Sequence, residues 1–320
     1  MKIGELAIKA FHVGSIAAKA VAIGANKIWQ AVKWIVFKDP VVEQICATNW
    51  GDGEHITPEQ AAAVTSIGTV FQYNTEITSF DELERFTSLA KIPHAAFSSD
   101  TNLMSVRCPK NIVLIDSFAF NRCKKLVSVE NLSNVERIGA YAFNECENLE
   151  SIILQRVKEI GEVAFYKCVN LTAIGDISNL GEILEKTFES CQSLISVDLQ
   201  NATNISSRAF VSCTSLMSVG NLSRVLNIGD TAFANCTSLQ EIELEDITNI
   251  SRLAFYNCPK LLLFICKAVT PPILNENAFG LTSNDMIIYV PDESVEAYKS
   301  ATNWSNYADR IKPLSEYKEE

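Results

Sequence analysis

Nine phenylalanines set the terms on which this chain can fold: Phe97, Phe120, Phe143, Phe165, Phe188, Phe210, Phe233, Phe255 and Phe279. Their spacings are 23, 23, 22, 23, 22, 23, 22 and 24 residues. Around them the chain repeats Ala-Phe-x-x-Cys-x-x-Leu, as in "AFNRCKKL", "AFNECENL", "AFYKCVNL" and "AFANCTSL". Self-similarity at such a period marks a stacked array. A unit of this length has too few apolar groups to fold alone, so each must bury its apolar stripe against the next. A longer period of 45 is superimposed, with "NLSN" (131–134), "DISN" (176–179) and "NLSR" (221–224) in one phase.

Each unit reads as one supersecondary element. After the Cys comes a short β-like run ("LVSV", "LESI", "LTAI", "LISV", "LQEI") with its apolar residues three apart. A second apolar pair follows, such as Val135 with Ile138, and then Gly139, Gly161 or Gly229. The Ala-Phe-x-x-Cys segment places Phe and Cys at i and i+3, which predicts a short helical turn. These units resemble the leucine-rich repeats of the BspA-like type, whose pattern is I-x-x-I-G-x-x-A-F-x-x-C-x-x-L, over roughly residues 91–281. The resemblance implies an α/β repeat fold, a solenoid of parallel β-strands and short helical turns closed by a helical N-terminal cap and a C-terminal cap. Departures are few: Asp100 stands for the first Cys, Thr187 for one Ala, and the last unit ("AFGLTSNDM") loses both Cys and Leu.

Seven cysteines share the frame: Cys123, Cys146, Cys168, Cys191, Cys213, Cys236 and Cys258. Equivalent residues of stacked units lie roughly 4.8 Å apart, which distance alone would allow for a disulfide. Equivalent side chains point in parallel, however, whereas a disulfide needs them turned toward each other. Zinc needs four converging ligands, and no C-x-x-C pair is present. A reactive thiol needs exposure and a cationic neighbour, and the flanking residues supply no consistent one. Packing as a small hydrophobe is the reading that fits the frame, and it makes Cys168→Ala nearly neutral. Cys46, Cys108 and Cys266 lie outside the frame and receive no role from the sequence.

The flanks divide the chain further. Residues 1–38 carry six lysines against Glu5, about +5 of a total of −11, which leaves about −16 for the remainder. Ile3-Gly4, Val13-Gly14 and Ile23-Gly24 recur ten residues apart, which predicts short strands joined by Gly turns rather than a helix. This segment resembles small modules that begin virion and tail-associated proteins of phages and prophages of gut Bacteroidetes. The resemblance implies an attachment or assembly module contacting another virion protein. Residues 39–90 read as a helical cap: Asp39 before Pro40, and Thr57, Pro58 and Gln60 as a capping box. Between them "NWGDGEHIT" is a cut-short EF-hand-like loop, with Gln60 where a bidentate Glu would stand, so no calcium is expected. Residues 282–320 read as a last strand, a turn at Pro291, a short helix and an aromatic plug of Tyr298, Trp304 and Tyr307.

Composition excludes several functions. The acidic balance argues against nucleic acid, and no stretch has the roughly 18 apolar residues of a membrane span. Glu5, Lys9, His12 and Lys19 interrupt any signal-peptide core. The three histidines, His12, His55 and His94, sit in no catalytic motif, and no phosphate-binding loop or nucleophile elbow occurs. No enzyme activity and no cofactor are expected. The expectation is a binding protein, with its candidate ligand face at the changeable strand positions Ser128, Glu130, Ser151, Asp198, Ser218, Glu241 and Glu243. Tyr166 and Tyr256 join them from the turn. The expected partner is a protein or glycan on a bacterial or host surface. The expected location is a virion, with a bacterial cell surface, secretion or an intracellular scaffold as alternatives.

Overall fold

The computed structural model describes residues 16–23 and 26–318, with side chains from residue 33 onward. Each repeat makes one coil with three sides. The first side is a strand following the Cys-x-x-Leu segment, as in Ser105–Arg107, Ser128–Glu130, Ser151–Leu154, Ala173–Gly175, Ser196–Asp198, Ser218–Gly220 and Glu241–Leu244. The second apolar pair forms its own strand, as in Leu114–Ile115, Arg137–Ile138, Glu159–Ile160, Glu182–Ile183, Asn204–Ile205 and Asn227–Ile228. Where strands of successive coils pair they run parallel, in register at Ser105 with Ser128 on the first side and Leu114 with Arg137 on the second, and with a register shift between Ser151–Leu154 and Ala173–Gly175. The third side is the turn carrying the phenylalanine.

Inward residues from all three sides meet in one core. Val129, Ile152 and Val197 enter from the first strands, Ile138, Ile160 and Ile205 from the second, and the Phe ladder from the turns. From Phe97 to Phe279 successive rings lie 5.2–5.6 Å apart, with planes 1–15° from parallel. That is the offset-stacked arrangement aromatic rings prefer. Phe71 extends the stack by one ring at the N-terminal end, 5.4 Å from Phe97.

The turns are not helical, which corrects the expectation for Ala-Phe-x-x-Cys. In every unit the residues two before and two after the Phe have positive φ, as at Phe118 and Arg122, Val163 and Lys167, or Leu253 and Asn257. This conformation costs roughly 1–2 kcal/mol per non-glycine residue. Hydrogen bonds along the stack hold it in place. Phe118, Phe120 and Arg122 donate N–H to Ala140, Ala142 and Asn144 of the next coil at 3.0, 2.8 and 2.7 Å. The alternate amides of Ala119, Asn121 and Cys123 close on carbonyls of their own coil. The turn is thus a third parallel ladder. Gly139 serves this stacking differently, since a Cβ there would lie 2.4 Å from the Ser117 amide of the neighbouring coil.

The second strand ladder is interrupted once and the first three times, and midway the two breaks fall together. Glu159–Ile160 pairs with Arg137–Ile138 but not with Glu182–Ile183, and Ala173–Gly175 does not pair with Ser196–Asp198. Across this joint the turn ladder continues, with Val163, Phe165 and Lys167 donating to Glu185, Thr187 and Glu189. Phe165 and Phe188 bridge it at 5.6 Å.

The caps follow their sequence signals. Helix α1 (Pro40–Trp50) starts at Asp39, whose carboxylate accepts from Val41 and Val42 and also from Thr78. Helix α2 (Pro58–Ala63) has the full capping box between Thr57 and Gln60. The intervening Asp52 accepts from the amides of Glu54 and His55, so it turns the loop with its own backbone. Ile35 and Phe37 are buried in this cap, so its core includes residues before 39. Ahead of it, Ile16–Ile23 and Asn26–Lys33 form an antiparallel hairpin, and the Gly4 and Gly14 repeats lie outside the described residues. At the other end Trp304 and Tyr307 pack on Phe279. Tyr298 is fully buried, its hydroxyl donating to Ala268 O and touching Cys266 Sγ at 3.2 Å.

Asp100 shows why the first unit lacks its Cys. The ladder thiols donate to a carbonyl of the preceding coil, but at the entry position 100 faces the Asn74 amide, which also donates to Phe71 O at 3.1 Å. Asp100 Oδ1 accepts from that amide at 2.9 Å. The carboxyl is wholly buried, and burial pushes its pKa up to about 8. Unfolded, it titrates near about 4. Between those values the folded chain holds a proton the unfolded chain has lost, so this contribution to stability is full below about pH 4 and disappears as pH rises toward 8. Asp100→Asn keeps the acceptor without the charge. Denaturant titrations should show the wild type losing stability relative to this variant from pH 5 to 8, at no more than about 1.4 kcal/mol per pH unit. A constant difference would refute the assignment.

Candidate binding face

The first strand side carries most of the sequence-predicted positions. Ser128, Ser151, Ser218 and Glu241 occupy one column across the coils, with Ser105 and Ser196 in the same line. Glu130, Asp198 and Glu243 occupy the outward column two residues on. Between the columns Val129, Val197 and Ile242 point inward. The alternation is what a half-buried sheet requires. Tyr166 and Tyr256 stand apart: they are half-buried on the turn, four coils from each other, and share no site with the strand columns.

The charges here are largely paired between coils. Arg107 holds Glu130 at 2.8 Å, Asn221 donates to Asp198 at 2.8 Å, and Lys267 reaches both Glu243 and Glu245. Such exposed pairs are screened by solvent and add little to stability. Glu241, Glu243 and Glu245 border a depression of about 220 Å³ with Asn221, Ser223 and Tyr317. It is polar and shallow, suited to contact with a surface rather than to enclosing a reactant.

A further column was not recognised from the repeat. The residue before each first strand is Met104, Val127, Glu150, Thr172, Ile195, Met217, Gln240 and Leu262. Met104, Val127, Ile195, Met217 and Leu262 are 37–52% exposed although apolar. The signal was present as L-[MVI]-S-V in four units (103–106, 126–129, 194–197, 216–219), where only the Leu and Val are inward. An apolar residue out of phase with packing marks a surface kept for contact.

The second strand side is different in kind. Asn227 donates to Asn204, Asn249 to Asn227 and Asn275 to Asn249, a ladder of 2.8, 2.6 and 3.1 Å, so this surface satisfies itself. Arg137, Lys158, Glu159 and Glu182 rim a groove of about 480 Å³ floored by Gly139, Gly161 and Gly181, at the interrupted joint. Glu159 is paired with Arg137 at 2.7 Å.

The cysteines offer no chemistry of this kind. All ten described cysteines are free and buried. Burial pushes the thiols of Cys258 in the ladder and Cys108 outside it up to about 12, and those of the other six ladder cysteines are also raised. Each ladder thiol donates to the Phe carbonyl one coil back, Cys123 to Phe97 at 2.9 Å and Cys168 to Phe143 at 3.1 Å. That carbonyl already accepts its own coil's Cys amide, as Phe143 does from Cys146. The thiol is therefore a second donor, which the packing reading alone did not include. Among the described residues no group of three or more His, Cys, Asp or Glu side chains is placed to hold a metal ion, and no helix is long and apolar enough to cross a membrane.

Comparison with known proteins agrees with the coil geometry. The family described as "BspA type Leucine rich repeat region" matches residues 65–195 and 158–285, in six copies. A leucine-rich repeat protein from Bacteroides ovatus is 15% identical over 95% of this chain and 99% of its own, with a TM-score of 0.51. A leucine rich cell surface protein from Faecalibacterium prausnitzii is 17% identical over 96% and 94%, with a TM-score of 0.47. The T. pallidum leucine rich repeat protein is 26% identical over 47% and 72%, with a TM-score of 0.39. No curated protein matches the chain.

Proposed function

Because the chain belongs to the BspA-type leucine-rich repeat family, we propose that it is a non-enzymatic binding protein whose first strand face meets a protein or glycan on a bacterial or host surface. The observation that carries this reading is the exposed apolar column beside the serine and carboxylate columns, on a surface that is regular over many coils. Solenoids bind through such extended faces. The experiment is saturable binding of the labelled protein to bacterial and host cells. Ser128→Arg with Ser218→Arg should abolish it, whereas Leu226→Arg on the other strand side should not. Equal binding by all three proteins would reject this face.

The basic charge of residues 1–38 and their resemblance to modules that begin phage virion proteins support placing the protein on a virion, with the repeats displayed outward. The family resemblance supports the alternative of a bacterial cell-surface adhesin. Mass spectrometry of the native protein separates them. Met1 retained in purified particles is the expected result, and a trimmed N-terminus in the envelope fraction would favour the adhesin instead.

A further inference from the structure

We propose that the first strand face also pairs with the same face of a second copy of this chain, about a two-fold axis lying along the strand direction. The observation is the order of its outward side chains. Over six successive coils the residue before the strand runs Met104, Val127, Glu150, Thr172, Ile195, Met217. That is apolar, apolar, polar, polar, apolar, apolar, the same from either end. The first strand residues agree: Ser105 mirrors Ser218, Ser128 mirrors Ser196, and Ser151 mirrors Ala173. Two residues further on, Ile153 stands 66% exposed on the same face. The backbone is divided in the same way, into paired strands at Ser105 with Ser128, Ser151 with Ala173, and Ser196 with Ser218.

A two-fold axis between the Ser151 and Ala173 coils keeps each position along the strand and reverses the order of coils. It lays Met104 on Met217 of the second copy and Val127 on Ile195 of the second copy, with the exposed Ile153 close to the axis. Such a contact is isologous and closes as a dimer. Sheets packed face to face with strands nearly aligned are an ordinary arrangement. Coils step by roughly 4.8 Å, so Met104 and Met217 of one chain are roughly 24 Å apart. A face that long and only a few residues wide falls short of the roughly 1,200 Å² of a stable interface. The dimer is therefore weak and concentration-dependent. Glu130, held by Arg107 at 2.8 Å, meets Asp198 of the second copy.

The test uses the full chain with no outside ligand, so its failure would leave the surface-binding reading standing. Met104→Cys and Met217→Cys proteins are mixed under a mild oxidant, and the buried native thiols do not compete. The expected result is a cross-linked dimer from the mixture and at least tenfold less from either variant alone. Sedimentation equilibrium should show the mass rising from one chain toward two with concentration. Ile153→Arg should raise the dissociation constant at least tenfold while leaving the melting temperature unchanged. Equal cross-linking by Met104→Cys alone, a single-chain mass at millimolar concentration, or no effect of Ile153→Arg would each overturn the proposal.

Discussion

Phe165→Ala is expected to destabilise the chain by about 3–5 kcal/mol, the range for deleting a large buried ring, and to divide one melting transition into two. The ring is fully buried between Phe143 at 5.2 Å and Phe188 at 5.6 Å. Its removal leaves a cavity and forfeits two stacked contacts. The position makes the effect larger than at other rungs. The strand just before this ring, Glu159–Ile160, does not pair with Glu182–Ile183, and the strand just after it, Ala173–Gly175, does not pair with Ser196–Asp198. The turn ladder and the Phe165–Phe188 contact hold the two halves together. In a solenoid, stability is a sum of coil terms and nearest-neighbour interfaces, so weakening the weakest interface uncouples what lies on either side. Calorimetry of Phe165→Ala should show two transitions, and Phe120→Ala a single lowered one. Cys168→Ala, three residues away, should cost only about 1–2 kcal/mol, because it removes a small buried group and a weak second donor. That is more than the near-neutral cost implied by packing alone. A Cys168→Ala loss as large as that of Phe165→Ala would show that the thiols, not the rings, carry the stack.

Trp304→Ala is the second large expected loss, also about 3–5 kcal/mol, and its effect should be confined to one end. The indole is fully buried against Phe264 and Phe279 and donates to Pro272 O at 2.8 Å. Tyr298 crosses it edge-on at 5.0 Å. Removing it uncovers the last rung of the stack to water. Hydrogen exchange should quicken in residues 263–313 and stay unchanged before residue 150. Uniform loss of protection along the chain would mean that the C-terminal segment is not a local plug.

Much of this was legible because the repeat is consistent with itself. Phe233, Cys236 and Leu239 could be recognised as one rung by their register with eight relatives, before any geometry was known. Asp39, Thr57 and Gln60 named the two helix starts through ordinary capping chemistry, and Trp304 read correctly as a plug from its place after the last strand. The turn conformation was hidden for a physical reason. Phe118, Val163 and Leu253 are poor choices for positive φ, and only hydrogen bonds to the next coil, absent from any single unit, outweigh that local preference. The exposed Met104, Val127, Ile195 and Met217 were hidden because an apolar run next to an inward Leu and Val looks like core. Asp100 looked like a lost cysteine, whereas its side chain accepts a bond from the facing Asn74 amide.

The account rests on the repeated Phe and Cys being architecture, which leaves function to the outward columns. Titration of the native chain with a thiol reagent at pH 8 tests this most directly. The account predicts that none of the ten cysteines reacts until denaturant is added, that all ten then react, and that reductant leaves the melting temperature where it was. Rapid reaction of Cys123, Cys168 or Cys236 in the folded protein, or a melting temperature lowered by reductant, would contradict it.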